Sequence, residues 1–268
     1  MHKENSIINR LFVLGLVLLA TGCSITPKGD SPPAQPQDIS GVPDAIPKSE
    51  PRSRYGNPSS YEVMGKRYYV KKTSRGYTER GIASWYGSKF HGRRTSSGET
   101  YDMYAMTAAH TTLPLPTYAR VTNLQNGRSI VVKINDRGPF HDNRIIDLSY
   151  TGANKLGIIK DGTGLVEVTA LDPGQPIAPP RKAAKTAATS ATSIYIQVGA
   201  FSSRFNADRL AQRITHSLGS VIRVKQHFGA GGDLFRVQVG PLASVELADS
   251  MTSQLEQIGI SDLHVIVD

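Results

Sequence analysis

Four titratable side chains in the stretch Gly81–Asp147 could do chemistry together. Glu99 and Asp102 lie three apart in the Gly-containing turn Thr95-Ser-Ser-Gly-Glu-Thr-Tyr-Asp102, and His110 follows soon after. Asp136 stands in Asn135-Asp-Arg-Gly-Pro139, directly after the apolar run Ser129-Ile-Val-Val-Lys-Ile-Asn135. Burial at the end of such a run disfavours the charged carboxylate and keeps a proton available. A general acid for glycosidic cleavage needs that proton, because the leaving oxygen must be protonated. The same residues also allow a structural turn in which Asp136 only pairs with Arg137, and the motif leaves both readings open. His110 could serve as a base, a ligand or a satisfied hydrogen-bonding group.

Other chemistries find little support. His91, His110 and His141 show no His-x-x-x-His spacing and there is no Cys pair, so no metal or other cofactor is expected. Gly-x-Ser-x-Gly is absent, which argues against a serine hydrolase. Trp85 beside Tyr86 could be core or a sugar-stacking platform, and core is the safer reading for so large a side chain.

The elements that must position these residues are short strands broken by turns. Gly81–Tyr86, Tyr118–Asn123, Ser129–Asn135 and Gly164–Ala170 read as strands, with Tyr68, Tyr69 and Val70 in a preceding one. Asn126-Gly127 between two β-rich runs signals a hairpin. The run Ser129–Asn135 reads as a strand buried on both faces. Ser149–Leu156 reads as one short helix ended by Gly157. Many short strands, Gly turns and little helix predict a compact β-barrel over 61–171.

The C-terminal part, 193–268, contains an internal repeat. Ile196-Gln-Val-Gly199, Ala207-Asp208, Leu210 and Ile214 recur as Val237-Gln-Val-Gly240, Ala248-Asp249, Met251 and Leu255, at a constant offset of 41. A supersecondary unit used twice is expected, here a strand, an amphipathic helix and a strand, giving βαββαβ. Alternation turns Ile194, Ile196, Val198, Phe235, Val237 and Val239 toward the helices. Tyr195, Gln197, Gly199, Arg236 and Gln238 then face outward, able to stack on or hydrogen-bond a polar chain. An ordinary solvated sheet face is the competing reading.

The formal charge of +9 suits an anionic partner without choosing one. Lys3 and Arg10 precede the apolar run Leu11–Ala20, followed by Thr21-Gly-Cys23, which makes 1–22 a secretory signal too short to span a bilayer comfortably. Cys23, the chain's one cysteine, leaves no disulfide to staple the fold. Residues 24–60 are rich in Pro, Ser, Gly and Asp and read, with Cys23, as a disordered tether; 172–192, Pro-rich then Ala/Thr/Lys-rich, read as a flexible linker.

Several of these motifs carry a resemblance. Thr21-Gly-Cys23 resembles a bacterial lipobox, although Ala20 stands where Leu is usual. Gly81-Ile-Ala-Ser-Trp-Tyr-Gly87, Phe90–Glu99, Thr107-Ala-Ala-His110 and Asn135–Pro139 resemble the rare lipoprotein A family. The C-terminal repeat resembles the SPOR domain. The resemblance covers nearly the whole chain outside the two linkers. It implies a six-stranded double-psi β-barrel, shared with expansins and some endoglucanases, followed by an RNA-recognition-like βαββαβ module that binds peptidoglycan strands stripped of stem peptides. It also implies an endolytic lytic transglycosylase acting at the division septum. The family's catalytic positions fall on Asp136, as general acid then base, and on Glu99, Asp102 and His110. Its glycan contacts fall on Gln197, Phe201 and Arg236. Cys23 becomes the lipidated residue, and Ser24 after it fits outer-membrane sorting, with divisome proteins as further partners. A non-catalytic, expansin-like wall-binding protein is the alternative. A nucleic-acid partner is not expected, because the chain is secreted and lacks an aromatic RNP-like strand.

Overall fold

The computed structural model describes residues 31–174, 193–229 and 232–268. The signal segment, Cys23 and nearly all of the linker over 172–192 lie outside the described residues.

Six strands close into a barrel: β3 (Thr78–Tyr86), β4 (Thr107–Ala109), β5 (Thr117–Asn123), β6 (Ser129–Asp136), β7 (Arg144–Ser149) and β8 (Gly164–Leu171). Their order around the barrel is β3-β7-β4-β6-β5-β8. The pairs β3–β7 and β4–β6 are parallel and the other four antiparallel. Closure gives every strand a neighbour on both sides, although short β4 covers only part of β6. Ala83, Ala108, Val121, Val132, Ile134, Ile146, Leu148 and Val168 fill the interior, all fully buried. The Asn126-Gly127 turn joins β5 to β6 as expected, with Gly127 at φ 73°. Helix α1 (Tyr150–Leu156) starts at Ser149, whose Oγ accepts from Gly152 N, and ends at left-handed Gly157. The two short strands β4 and β7 escaped the sequence reading. A hairpin of β1 (Ser60–Val63) and β2 (Lys66–Tyr69) precedes the barrel as a separate sheet.

The expectation of a disordered tether up to residue 60 is corrected in its described part. Residues 31–59 contain no helix or strand, yet they strap the barrel. Ala45 N donates to Val131 O at 3.0 Å, and Val131 N donates to Asp44 Oδ2 at 3.1 Å. Ser53 N reaches Leu115 O at 2.9 Å, and Asn57 exchanges hydrogen bonds with Leu115 in both directions. Strand β4 is short and covers only the last residues of β6, so the strap supplies partners to the backbone that remains. Composition signals missing apolar period; it says nothing of a neighbouring strand edge.

The second module runs β9 (Ile194–Phe201), α2 (Arg204–Leu218), β10 (Ile222–Gly229), β11 (Gly232–Leu242), α3 (Val245–Gln257) and β12 (His264–Val267), the βαββαβ order predicted from the repeat. Its sheet order is β10-β11-β9-β12. Ile196, Val198, Ala207, Ile214, Val237, Val239 and Leu255 form the buried core between sheet and helices. One detail corrects the strand alternation. Val237 pairs with Gly199 but Gln238 pairs with Gln197, so Val198 is an extra residue in β9. Such a bulge reverses the alternation after it. Phe201 therefore pairs with Phe235 and packs against the helix-side core, and is not an outward contact. Gly199 turns inward too: a Cβ there would meet the Phe201 ring at 2.9 Å and Leu210 at 3.1 Å.

The two modules touch. Ile82 and Leu165 of the barrel join Ile194, Ala248 and Val267 in one buried apolar cluster.

Candidate active site

Three donors fix Asp136 at the end of β6. Its Oδ1 accepts from Ser96 N (2.8 Å), Ser96 Oγ (2.7 Å) and Arg137 N (2.8 Å). No hydrogen-bond partner is found for Oδ2 among the described residues, so the two oxygens differ: one is anchored by three donors and the other is not. The carboxylate is half-buried. The turn Thr95–Glu99 that supplies Ser96 is itself tied to β6, since Ser97 N donates to Asn135 O at 3.1 Å.

Glu99 lies at the end of the same turn. Its Oε2 accepts from Asn135 Nδ2 (2.8 Å) and its Oε1 from Lys133 Nζ (2.8 Å). Asn135 and Asp136 are consecutive, so β6 brings both carboxylates to one locality. Asp102 is elsewhere engaged. It caps its own turn by accepting from Tyr104 N at 2.9 Å, lies 3.7 Å from His91 Nδ1, and is more than half exposed.

The ring of His110 points away from Asp136. Nδ1 accepts from Thr112 N and Leu113 N, both at 3.1 Å, so the proton sits on Nε2, 2.8 Å from Tyr77 Oη. Tyr77 donates in turn to Glu79 Oε2 at 2.6 Å. His110 is 2% exposed, and burial, with Arg137 and Lys71 adding to it, depresses its pKa to about 3. The ring is therefore neutral at physiological pH. Only its backbone reaches the site, His110 N donating to Asp136 O at 3.0 Å.

The alternative of an Asp136–Arg137 ion pair is overturned. The Arg137 guanidinium turns toward backbone carbonyls instead: Nε to Gly56 O (2.8 Å), and Nη1 to His110 O (2.9 Å) and Leu113 O (2.6 Å). It knits three chain segments behind the site, which leaves Asp136 to the neutral donors.

A further carboxylate, missed as a site residue from sequence, faces Asp136. Ala109 of β4 pairs with Asp136 on one side and with Asp147 of β7 on the other. Directly paired residues share a face, and two strand spacings place the aspartates roughly 10 Å apart at Cα. Ser84 Oγ donates to Asp147 Oδ1 across the β3–β7 pair. Tyr86, stacked on Tyr101 at 4.1 Å, lies near both aspartates: burial first, then Tyr101 and Asp136, push its phenol well above the usual range. The alternation Ile146-Asp147-Leu148, with apolar neighbours pointing inward, was the signal available for Asp147.

On the second module Gln197 and Arg236 are on the open face as predicted. Gln197 Oε1 and Arg236 Nε are buried without a hydrogen-bond partner. Beside them the Arg223 guanidinium lies 3.2 Å over the Tyr195 ring, with its Nε on Gln238 Oε1 at 2.7 Å.

Comparison with known proteins agrees with this architecture. A family model described as "Lytic transglycolase" matches residues 78–169, and one described as "SPOR domain" matches 190–265. The chain is 40% identical over 265 residues to "Endolytic peptidoglycan transglycosylase RlpA" of Vibrio cholerae serotype O1, covering 96% of this chain and 97% of that one. The protein of that name from Pseudomonas aeruginosa PAO1 is 41% identical over 250 residues, 89% of this chain and 72% of that one. The solved SPOR domain of RlpA from Pseudomonas aeruginosa overlaps 27% of this chain and 96% of its own, at 19% identity and TM-score 0.26. Fold and site together define a double-psi β-barrel of the lytic transglycosylase type joined to a SPOR domain. The chain belongs to the RlpA family of endolytic peptidoglycan transglycosylases.

Proposed function

We propose that this protein cleaves peptidoglycan glycan strands lacking stem peptides, as an endolytic lytic transglycosylase with Asp136 as its acid and base. One observation carries the assignment: Asp136 Oδ1 is held by three donors at the end of β6 while the residue stays partly exposed. In the protonated enzyme Oδ2 carries the proton. It passes to the glycosidic oxygen of the departing N-acetylglucosamine as the C1–O bond of N-acetylmuramic acid breaks. The C6 hydroxyl of the same muramic residue closes onto C1, and its proton returns to Asp136. A 1,6-anhydro end results, with no water consumed and the carboxyl restored. Glu99, fixed by Lys133 and Asn135, opposes positive charge at C1. Asp102 contacts the strand at the rim, and His110 acts from behind by fixing the β4–β6 register at Asp136.

The SPOR domain supplies affinity for the stripped glycan through Gln197 and Arg236, which the β9–β11 register places on the sheet face away from the helices. Lipidation at Cys23 anchors the protein to the outer membrane, facing the periplasm, and stripped glycan recruits it to the septum beside divisome proteins.

The test is incubation of the full-length protein in detergent with amidase-treated peptidoglycan, beside Asp136→Asn, followed by mass spectrometry of soluble products. Peptide-free, anhydro-ended glycans from wild type alone support the reading. No soluble product from either protein, with both pelleting on the glycan, replaces it with the non-catalytic reading.

A further inference from the structure

The strap that crosses the barrel reaches the catalytic turn, although it lies upstream of everything the transglycolase family model matches. Lys133 Nζ stands between two carboxylates, 2.8 Å from Glu99 Oε1 and 3.0 Å from Glu50 Oε2. Glu50 is fixed in turn by Tyr118, whose hydroxyl donates to its Oε1. Tyr118 and Lys133 are directly paired across β5 and β6, so one carboxylate from the strap bridges two neighbouring barrel side chains. The hydrogen bond from Tyr118 lowers the Glu50 pKa against the effect of burial, while burial and the Glu50 contact push Tyr118 up to about 12. Burial also opposes charge on Lys133, but its hydrogen bonds to Glu99 and Glu50 outweigh that and raise its pKa. Three charges of mixed sign thus form one network, with Glu99 at its end nearest Asp136.

The strap is held at both sides of Glu50. Asp44 and Ala45 are bonded to Val131, Ser53 Oγ donates to Ser97 O at 2.6 Å, and Gly56 O receives Arg137 Nε. Glu50 therefore occupies a defined place, and its carboxylate is not a roaming surface charge.

We propose that Glu50 is a positioning residue for the reaction: through Lys133 it sets the place and the charge balance of Glu99. This rests on the transglycosylase reading for its kinetic consequence but not for the coupling itself. Without Glu50, Lys133 is drawn to Glu99 alone, its ammonium shifts, and the negative charge offered to the substrate falls. A residue that acts only by holding the fold together would lower activity independently of Glu99. A residue that acts through Glu99 would not.

The experiment is a double-mutant cycle in the full-length protein, with Glu50→Gln, Glu99→Gln and the pair assayed on amidase-treated peptidoglycan. Glu50→Gln is expected to lower kcat about ten-fold with KM little changed, and to cost less than two-fold more once Glu99 is Gln. Glu50→Asp should recover part of the loss. The same proteins, labelled with 13C at the glutamate carboxyl carbon, report the coupling without turnover: the Glu99 carboxyl signal, assigned by its absence in Glu99→Gln, should move at neutral pH in Glu50→Gln. An unmoved Glu99 carboxyl signal overturns the proposal, as does a kinetic loss that multiplies with that of Glu99→Gln. A wild-type protein that yields no anhydro product fails the transglycosylase reading alone, and the carboxyl signal still decides on Glu50.

Discussion

Arg144 of β7 grips Asp249 of α3 with both arms of its guanidinium, Nη2 to Oδ2 at 2.6 Å and Nη1 to Oδ1 at 3.0 Å. Asn143 adds a hydrogen bond to Thr252 Oγ1 at 2.7 Å. The Arg144 side chain is only 7% exposed, so this fork links the SPOR helix to the strand that carries Asp147 three residues on.

Breaking the fork leaves a buried guanidinium without its carboxylate. Asp249 is itself partly exposed, so water relieves some of the loss, and Asp249→Asn should cost about 2–3 kcal/mol, below the full cost of orphaning a buried charge. Calorimetry at neutral pH should resolve two transitions in the variant where the wild type shows one. A single unshifted transition in both proteins contradicts mechanical coupling between the modules.

His110 makes stability depend on pH. Its folded pKa, about 3, lies below the 6.5 of an ordinary histidine, so the unfolded chain takes up the proton first. The stability it contributes is complete above pH ~6.5 and declines as pH falls toward ~3, by ~1.4 kcal/mol per unit. Denaturant midpoints from pH ~7.5 down to ~5 should fall for wild type and fall less steeply for His110→Gln. Parallel slopes would place the proton uptake elsewhere.

Arg137→Lys should remove the fork that ties Gly56, His110 and Leu113 together, because one ammonium cannot reach three carbonyls in divergent directions. A loss of about 2–3 kcal/mol in urea unfolding is expected. Retained stability would mean that a Lys, or water, satisfies those carbonyls equally well.

Gly56→Ala probes the strap from another side. Gly56 has φ 78°, and a Cβ there would stand 2.7 Å from Ser96 O and 2.9 Å from Leu115 Cδ1. Ser96 must yield, and with it the two hydrogen bonds that aim Asp136. Product formation should drop at least ten-fold at temperatures where circular dichroism shows the variant folded. Full activity would show that the Ser96 turn tolerates displacement.

On the SPOR sheet, Arg236→Ala and Gln197→Ala should weaken pelleting with stripped glycan about ten-fold each, while Phe201→Ala should lower stability by about 2 kcal/mol and leave glycan binding intact. The contrast follows from the β9 bulge, which puts Phe201 on the helix side.

Much of the fold is legible in the amino-acid sequence. Apolar runs and turn residues act locally, so β3, β5, β6 and β8, α1 with its Gly157 stop and the repeated βαβ unit emerge from period and spacing. The motif Asn135–Pro139 likewise marks the end of β6, where Asp136 stands. What local pattern could not carry was anything set by a partner distant in sequence. Strands β4 and β7 are short and take their place from parallel neighbours, and those pairings are what set Asp147 opposite Asp136 across Ala109. Nothing near His110 in the chain foretells that its ring is spent on Tyr77, nor does Arg137 beside Asp136 foretell that its guanidinium turns to carbonyls instead. A single extra residue in β9 reversed the face of Phe201. The strap shows the limit most clearly. Its Pro- and Ser-rich composition lacks the apolar area to fold alone, so sequence classes it as a tether; the length of β6 that β4 leaves uncovered supplies hydrogen-bond partners to it, and Glu50 meets Lys133 on that strand.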